Sequence, residues 1–321
     1  MKIGVEYSMI EKINITISVF NRVKETVACI TALKKNTSVQ YVLNVVDNCS
    51  DFQMRDVLYS LYNDKIIDNL FLLNKNYGVS CACNTGFKLV EADLYIKIDN
   101  DIIITKNDWI QRLLTTWRAV KFPSVLGHYY ENNIADRAGI TDINVNGCKI
   151  YQNVRVLPGF CLMIPKFVLE HIGYFCEDYG VYGEEDTDYC FRLDAAAIPM
   201  HAIDMKKFMY EQRYNNVYDV RKVHKNKLNI INRGCAHRPG LLMCNKIMYD
   251  FCLKKINVPL RYDIERVSEH DVHITENTEY KIYRRKFLKC KAALTNHVNG
   301  RGIKNIDGLI SSMKKTMHGF C

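Results

Sequence analysis

Short apolar runs rich in β-branched residues alternate with helical stripes along the first hundred residues. Residues 13–20 predict a buried first strand. Val23, Val27, Ile30 and Leu33 then recur at the spacing of one helix face. The alternation continues with a second strand over 41–46 ending at Asp47 and a helix carrying Met54, Val57, Leu58 and Leu61. A third strand over 66–73, a helix over 79–90 and a short fourth strand over 94–98 follow, the last running into Asp99. Repeated β–α units of this kind predict an α/β fold, a mostly parallel sheet with helices on both faces. Further on, a helix over 109–120 precedes a polar stretch, 122–158, with no strong period. Next come an apolar run over 159–165, a short helix over 167–171 and a Gly- and acid-rich segment over 173–188. Beyond about residue 235 the chain reads as mainly helical.

In such sheets, ligands gather beyond the carboxyl ends of the strands. Four polar groups stand there: Phe20-Asn21-Arg22, Asp47-Asn48-Cys49-Ser50-Asp51, Asn74-Lys75-Asn76-Tyr77-Gly78 and Asp99-Asn100-Asp101. Asp99 and Asp101, two apart at a strand end, can address one ligand. Their hard oxygens suit Mg²⁺ or Mn²⁺ completed by phosphate oxygens; a strand-terminating turn is the plainer explanation. The second cluster, Gly183-Glu184-Glu185-Asp186-Thr187-Asp188, puts four acids within five positions. Acids suit a helix N-terminus, and Arg192 is a candidate partner for Asp188. Tyr174, Phe175, Tyr179, Tyr182 and Tyr189 around them would suit the walls of a sugar pocket as well.

Composition narrows the classes. At 321 residues and 48% apolar, the chain can bury a substantial core. No apolar run approaches the ~20 residues of a membrane span, and residues 1–12 lack the apolar segment of a secretory signal. A soluble, cytoplasmic protein is expected. Thirteen scattered cysteines show no paired framework; Cys81 and Cys83 point apart on a helix, and reduced thiols are the expectation. The net charge of +9 is uneven: residues 201–321 carry 24 Lys and Arg against 11 Asp and Glu. A basic tail beside an acidic body predicts either an anionic partner or simply a solvated basic surface.

Taken in order, a set of motifs resembles family 2 glycosyltransferases of the GT-A type. They are Thr-Ile-Ser-Val-Phe-Asn at 16–21, Val-Val-Asp-Asn-Cys-Ser-Asp at 45–51, Asn-Lys-Asn-Tyr-Gly-Val-Ser-Cys-Ala-Cys-Asn-Thr-Gly at 74–86 and Ile-Asp-Asn-Asp at 98–101. Gly-Phe-Cys-Leu-Met-Ile-Pro at 159–165, Ile-Gly-Tyr-Phe at 172–175 and Tyr-Gly-Glu-Glu-Asp-Thr-Asp-Tyr-Cys-Phe-Arg-Leu at 182–193 complete them. The resemblance implies a catalytic domain over 1–235, with a nucleotide-sugar half to about 104 and an acceptor half beyond it. A basic, mainly helical region over 236–321 would follow. It implies that Asp47 holds the nucleotide base, with Phe20, Asn21 and Arg22 lining that side. Asn76 with Gly78, and Asn84 with Gly86, would contact the donor beside Asn100. Asp99 and Asp101 would form the DxD motif, Asp101 being the more direct ligand of Mn²⁺ or Mg²⁺. Asp186 would be the catalytic base and Glu185 its substrate-positioning neighbour. The family's downstream metal-ligating His falls near Tyr210 by spacing, and His224 is the next candidate; the Gly usual after the Glu-Asp helix is replaced within Ala195-Ala196-Ala197.

Inverting transfer from a nucleotide-sugar, UDP-sugar first, to a glycan or lipid-linked acceptor is the implied activity. A nucleotidyltransferase would share sheet and metal but would open with a Gly-rich phosphate loop, and residues 20–23 contain no glycine. A nucleic-acid-binding module would use the aromatic and basic run at 280–287, but no signature of such a module accompanies it. The same run could rest peripherally on an anionic membrane; packing of Ile282, Phe287 and Leu288 against the catalytic domain is the plainer expectation.

Overall fold

The computed structural model describes residues 12–120, 124–129, 141–145, 147–152, 154, 156–204, 208–212, 242, 245, 246, 249 and 256–282. In chain order the elements are β1 (Ile13–Val19), α1 (Val23–Lys35), β2 (Val42–Asp47), α2 (Phe52–Asn63), β3 (Asn69–Leu73), α3 (Val79–Leu89), β4 (Leu94–Asp99) and β5 (Ile102–Ile104). They continue with α4 (Trp109–Ala119), β6 (Val125–Tyr129), β7 (Thr141–Val145), β8 (Cys148–Gln152), β9 (Cys161–Pro165) and α5 (Lys166–Ile172). The last are α6 (Glu185–Ala195), β10 (Met200–Asp204), β11 (Met209–Glu211), β12 (Tyr262–Arg266) and β13 (Asp271–Glu276). Among the described residues eleven strands form one mixed sheet in the order β12-β13-β3-β2-β1-β4-β9-β6-β10-β8-β7, and β5 and β11 form a second ribbon.

The core of the sheet is parallel, as the repeated β–α pattern predicts. β1 pairs with both β2 and β4, in a register that sets Val19 beside Asp47 and Ser18 beside Asp99. β4 is buried on both faces and alternates between two cores. Leu94, Ile96 and Ile98 join the core that includes Ile30, Leu58 and Trp109. Tyr95 joins the opposite one, with Phe87, Leu162 and Tyr189. α3 lies close against β1 because Gly86 has no side chain: a Cβ there would sit 2.5 Å from Thr16. Asn14, buried in β1, donates to the Gly86 and Val90 carbonyls and so satisfies its amide against the same helix.

The C-terminal part adds a hairpin to a region expected to be mainly helical. β12 and β13 pair antiparallel, and β13 extends the sheet in parallel beside β3, with Val272 opposite Leu73. Tyr262 meets Tyr77 edge-on, and the ring of His270 stands edge-on to Tyr59 and Tyr62. Every second residue of these strands is charged or exposed, so their apolar signal is weak until β3 supplies a partner. No helix among the described residues is long and apolar enough to cross a membrane. The described cysteines, Cys81 and Cys83 included, are free, and burial pushes both thiols up.

Candidate active site

The parallel strands bring their carboxyl ends to one edge, and the connecting turns there are held by side chains. Asn21 and Arg22 both adopt left-handed backbone, with φ of 56° and 64°. Such conformations cost of order 1 kcal/mol each for non-glycine residues and persist where their surroundings hold them. Here the Asn21 N–H donates to Ser50 Oγ (2.8 Å), and Asn21 Oδ1 accepts from the Asp51 N–H (2.8 Å). The result is that Arg22 reaches Asp101, Nη1 to Oδ2 at 3.1 Å. Asp47 is fully buried; it accepts from the Ser50 N–H and pairs with Arg55 Nε at 3.0 Å. Asp51 caps α2 by accepting from the Met54 N–H. Phe20 is exposed beside these turns.

Asn48 bridges to the next turn. Its Nδ2 donates to Asn76 Oδ1 (2.9 Å), and its Oδ1 accepts from the Tyr77 N–H. Asn76 Oδ1 also accepts from the Gly78 N–H. Gly78 has φ of +95°, and a Cβ there would lie 2.1 Å from the Gly180 carbonyl oxygen, so only glycine lets this turn meet the approach to the acid cluster. Asn84 is committed within the protein: Nδ2 donates to Phe175 O and to Glu177 Oε1, and Oδ1 accepts from the Phe175 N–H. Asn100 donates to Thr26 Oγ1.

Burial pushes Glu177 up to about 7, against the hydrogen bonds from Asn84 and the Arg261 N–H. A folded-state value above the ordinary carboxyl range favours the protonated form. Its contribution is therefore full below about pH 4.5 and is lost as pH rises through about 7. Glu177→Gln, which cannot ionise, should melt above the wild type at pH 8, with the gap closing toward pH 5. Thermal melts at the two pH values check this, and an equal gap at both would contradict it.

Asp99 and Asp101 end β4 and open the turn into β5. Asp99 Oδ1 accepts from Lys97 Nζ at 2.5 Å. The second oxygens, Asp99 Oδ2 and Asp101 Oδ1, take no hydrogen bond among the described residues. Each carboxylate thus keeps one hard oxygen of the kind that Mg²⁺ or Mn²⁺ takes, while among the described residues no third Asp, Glu, His or Cys joins them in a metal-holding group. β11 pairs with β5, setting Tyr210 beside Ile103, and the Gln212 N–H donates to the Asp101 carbonyl at 2.9 Å. The chain thus returns to the Asp99–Asp101 turn where the spacing pointed, at Tyr210, while His224 lies outside the described residues.

The acid cluster is divided by its helix. Asp188 is buried inward: Oδ2 pairs with Arg192 Nε at 3.0 Å, and Oδ1 accepts from Tyr179, Asn245 and Tyr249. Asp186 instead lies against the turn leading into β9, Oδ2 accepting from the Gly159 N–H at 3.0 Å and Oδ1 from the Thr187 N–H at 2.7 Å. Glu185 is buried beside it; burial first and Asp186 next push it up to about 7, with Lys97 opposing. The structure therefore gathers Arg22, Asp47, Asn76, Gly78, Asp99 and Asp101 on adjoining turns, with Asp186 linked to Asp99 through Gly159 and Lys97. Lys97 and Arg55 were not among the residues the sequence singled out, and Asn48 stood in the 47–51 turn with no role of its own. Lys97 alone left a trace, as a cation in an otherwise apolar strand on the face that Asp99 shares.

Residues 14–173 match the family model described as glycosyl transferase family 2. This part of the chain is a family 2 glycosyltransferase domain. Its fold is the GT-A arrangement of S. aureus TarS, to which the chain is 13% identical with a TM-score of 0.51 over 96% of its length. The chain spans about half of that protein, 48%. Against TarS 1–349 alone the TM-score is 0.50 at 12% identity, covering 95% of this chain and 80% of the other. The same TarS segment in complex with UDP gives 0.51 at 13% identity, covering 92% and 74%. No curated protein sequence matches significantly. The match to the glycosyltransferase domain ends just before the acid cluster, so Glu185 and Asp186 stand on geometry and on the motif at 182–193.

Proposed function

We propose that the chain moves a sugar from a nucleotide-sugar, UDP-sugar first, to a hydroxyl of a glycan or lipid-linked acceptor with inversion at the anomeric carbon. The observation that carries this reading is the linkage of two carboxylate groups across one strand end: Asp99 with Asp101, inside the matched family 2 glycosyltransferase domain, and Glu185 with Asp186, just beyond it. UDP bound to a protein of this fold supports the choice of nucleotide.

Asp47, fixed by Arg55, would receive the base, and Arg22, Asn76 and Gly78 would line the path of the ribose and phosphates. Asp99 and Asp101 would hold Mn²⁺ or Mg²⁺, whose charge stabilises the departing diphosphate. The family resemblance makes Asp101 the more direct ligand; each carboxylate has one oxygen engaged, Asp99 by Lys97 and Asp101 by Arg22. On the opposite face Asp186 accepts the proton of the acceptor hydroxyl as its oxygen bonds to the anomeric carbon. The carbon–phosphate oxygen bond breaks in the same step, and its electron pair leaves with the nucleoside diphosphate. Burial, with Asp186 beside it, biases Glu185 toward its protonated form and so spares the pair a second charge.

Calorimetric titration with UDP, GDP and dTDP, with and without Mn²⁺, tests the reading on wild type and Asp101→Ala. Mn²⁺-dependent binding of UDP, weakened at least about tenfold in the variant, is expected from loss of a direct ligand. Binding of no diphosphate under either condition would overturn it. A cytoplasmic enzyme whose basic tail packs against the catalytic domain completes the proposal; residues 283–321 lie outside the described residues, so only charge supports the alternative of contact with an anionic membrane. No liposome co-sedimentation is the expected result, and co-sedimentation lost on removal of 279–321 would establish the membrane contact instead.

A further inference from the structure

Lys97 is 2% exposed at the centre of the sheet, in β4 between β1 and β9. Burying an ammonium costs several kcal/mol before its partners compensate, and apolar residues in place of a whole buried ion pair are often as stable or more so. Stability therefore gives little reason for a lysine here. Its contacts give another. Nζ donates to Asp99 Oδ1 at 2.5 Å and to the Gly159 carbonyl. The N–H of the same Gly159 donates to Asp186 Oδ2 at 3.0 Å. The Asp99 N–H adds a second tie to this segment, donating to Phe160 O at 2.9 Å. A side chain at Gly159 would crowd the base: a Cβ would lie 3.0 Å from Asp186 Cβ and 3.1 Å from Oδ2, tight enough that Asp186 must give way.

We propose that Lys97 is a positioning residue that joins the donor-side carboxylate Asp99 to the base Asp186 through Gly159, fixing the distance across which the acceptor attacks. The inference rests on the glycosyltransferase reading above and adds to it a residue that touches neither substrate. Asp99 is one partner of the lysine, and the peptide of Gly159 is the other; the ammonium holds the carbonyl side while the amide side holds the base. Loss of the ammonium would let the Gly159 segment and Asp186 relax together, and misplacement on the scale of 1 Å costs about 10²-fold in rate.

The test compares Lys97→Met with Gly159→Ala and wild type. Lys97→Met is expected to fold and to bind UDP with Mn²⁺ within about threefold, because Asp99 is partly exposed and can hydrate once the ammonium is gone. Its kcat should fall about 10²-fold with little change in donor KM, and Gly159→Ala should lose kcat in the same way from the other end of the link. A crystal structure of Lys97→Met gives a readout independent of turnover, with Asp186 and the Gly159 carbonyl displaced. An unmoved Gly159 and Asp186 would overturn the inference whether or not UDP binds. So would retained kcat, or a loss of kcat matched by an equal loss of UDP affinity, which would make Lys97 a donor-site residue only. Failure of the wild type itself to bind any nucleoside diphosphate would instead count against the glycosyltransferase reading, leaving the displacement in the crystal to decide the role of Lys97.

Discussion

Asp186→Asn is expected to lower kcat about 10³-fold, the range seen when a positioned general base is removed, while UDP affinity in the presence of Mn²⁺ stays near wild type. The reason lies in what the substitution keeps. Asparagine matches aspartate in size and retains one oxygen, so it can still accept from the Gly159 N–H or the Thr187 N–H. It cannot take the proton that the acceptor hydroxyl must lose. A loss confined to kcat is the mark of an interaction made in the transition state, whereas a matched loss of binding would point to the donor side. Steady-state transfer assays beside calorimetry separate the two. A variant keeping a tenth or more of wild-type activity would remove Asp186 from the role of base, and Glu185 would be the next residue to test.

Asp188→Ala should be among the most destabilising single substitutions in the chain, at about 3–5 kcal/mol, because it leaves a buried cation unpaired. Arg192 is 0% exposed. Its Nη groups are engaged by the Ile172 and Tyr174 carbonyls, but neither carries a full negative charge. Asp188 also receives Tyr179, Asn245 and Tyr249, so its removal strands several polar hydrogens at once. A fall in melting temperature of order 10 °C follows from that range of energies. Asp188→Ala with Arg192→Leu should recover part of the loss, because the unpaired charge goes with the arginine. No recovery in the double variant would show that the tyrosine and asparagine contacts, rather than the ion pair, carry the effect.

These two aspartates stand two residues apart in one run of acids; the i, i+4 spacing offered Arg192 as a partner for Asp188, and the motif's resemblance offered Asp186 as the base, but neither shows the contacts that separate them. Their separation is a product of α6. The helix turns Asp188 inward onto Arg192 and the residues at 245 and 249, and leaves Asp186 against Gly159. Much else was legible. The strands predicted over 13–20, 41–46 and 94–98 are present as Ile13–Val19, Val42–Asp47 and Leu94–Asp99, since buried parallel strands are apolar throughout and stop abruptly at polar residues. The polar turns that end them were legible for the same reason. Hairpin β12–β13 was not, because edge strands with one solvated face have a pattern that other structures share, and their partner β3 lies almost two hundred residues away.

The sequence by itself determined the parallel core, the edge at which polar residues collect, and the identity of the paired acids Asp99 and Asp101. Those follow from local periodicity and from the spacing of side chains on one strand. Only the tertiary structure decided which acids work together. Lys97 meets Gly159, and Gly159 meets Asp186, across separations of 62 and 27 residues. No local pattern encodes such contacts, because they arise when β9 settles antiparallel beside β4 and the strand carrying the ammonium is closed off from water.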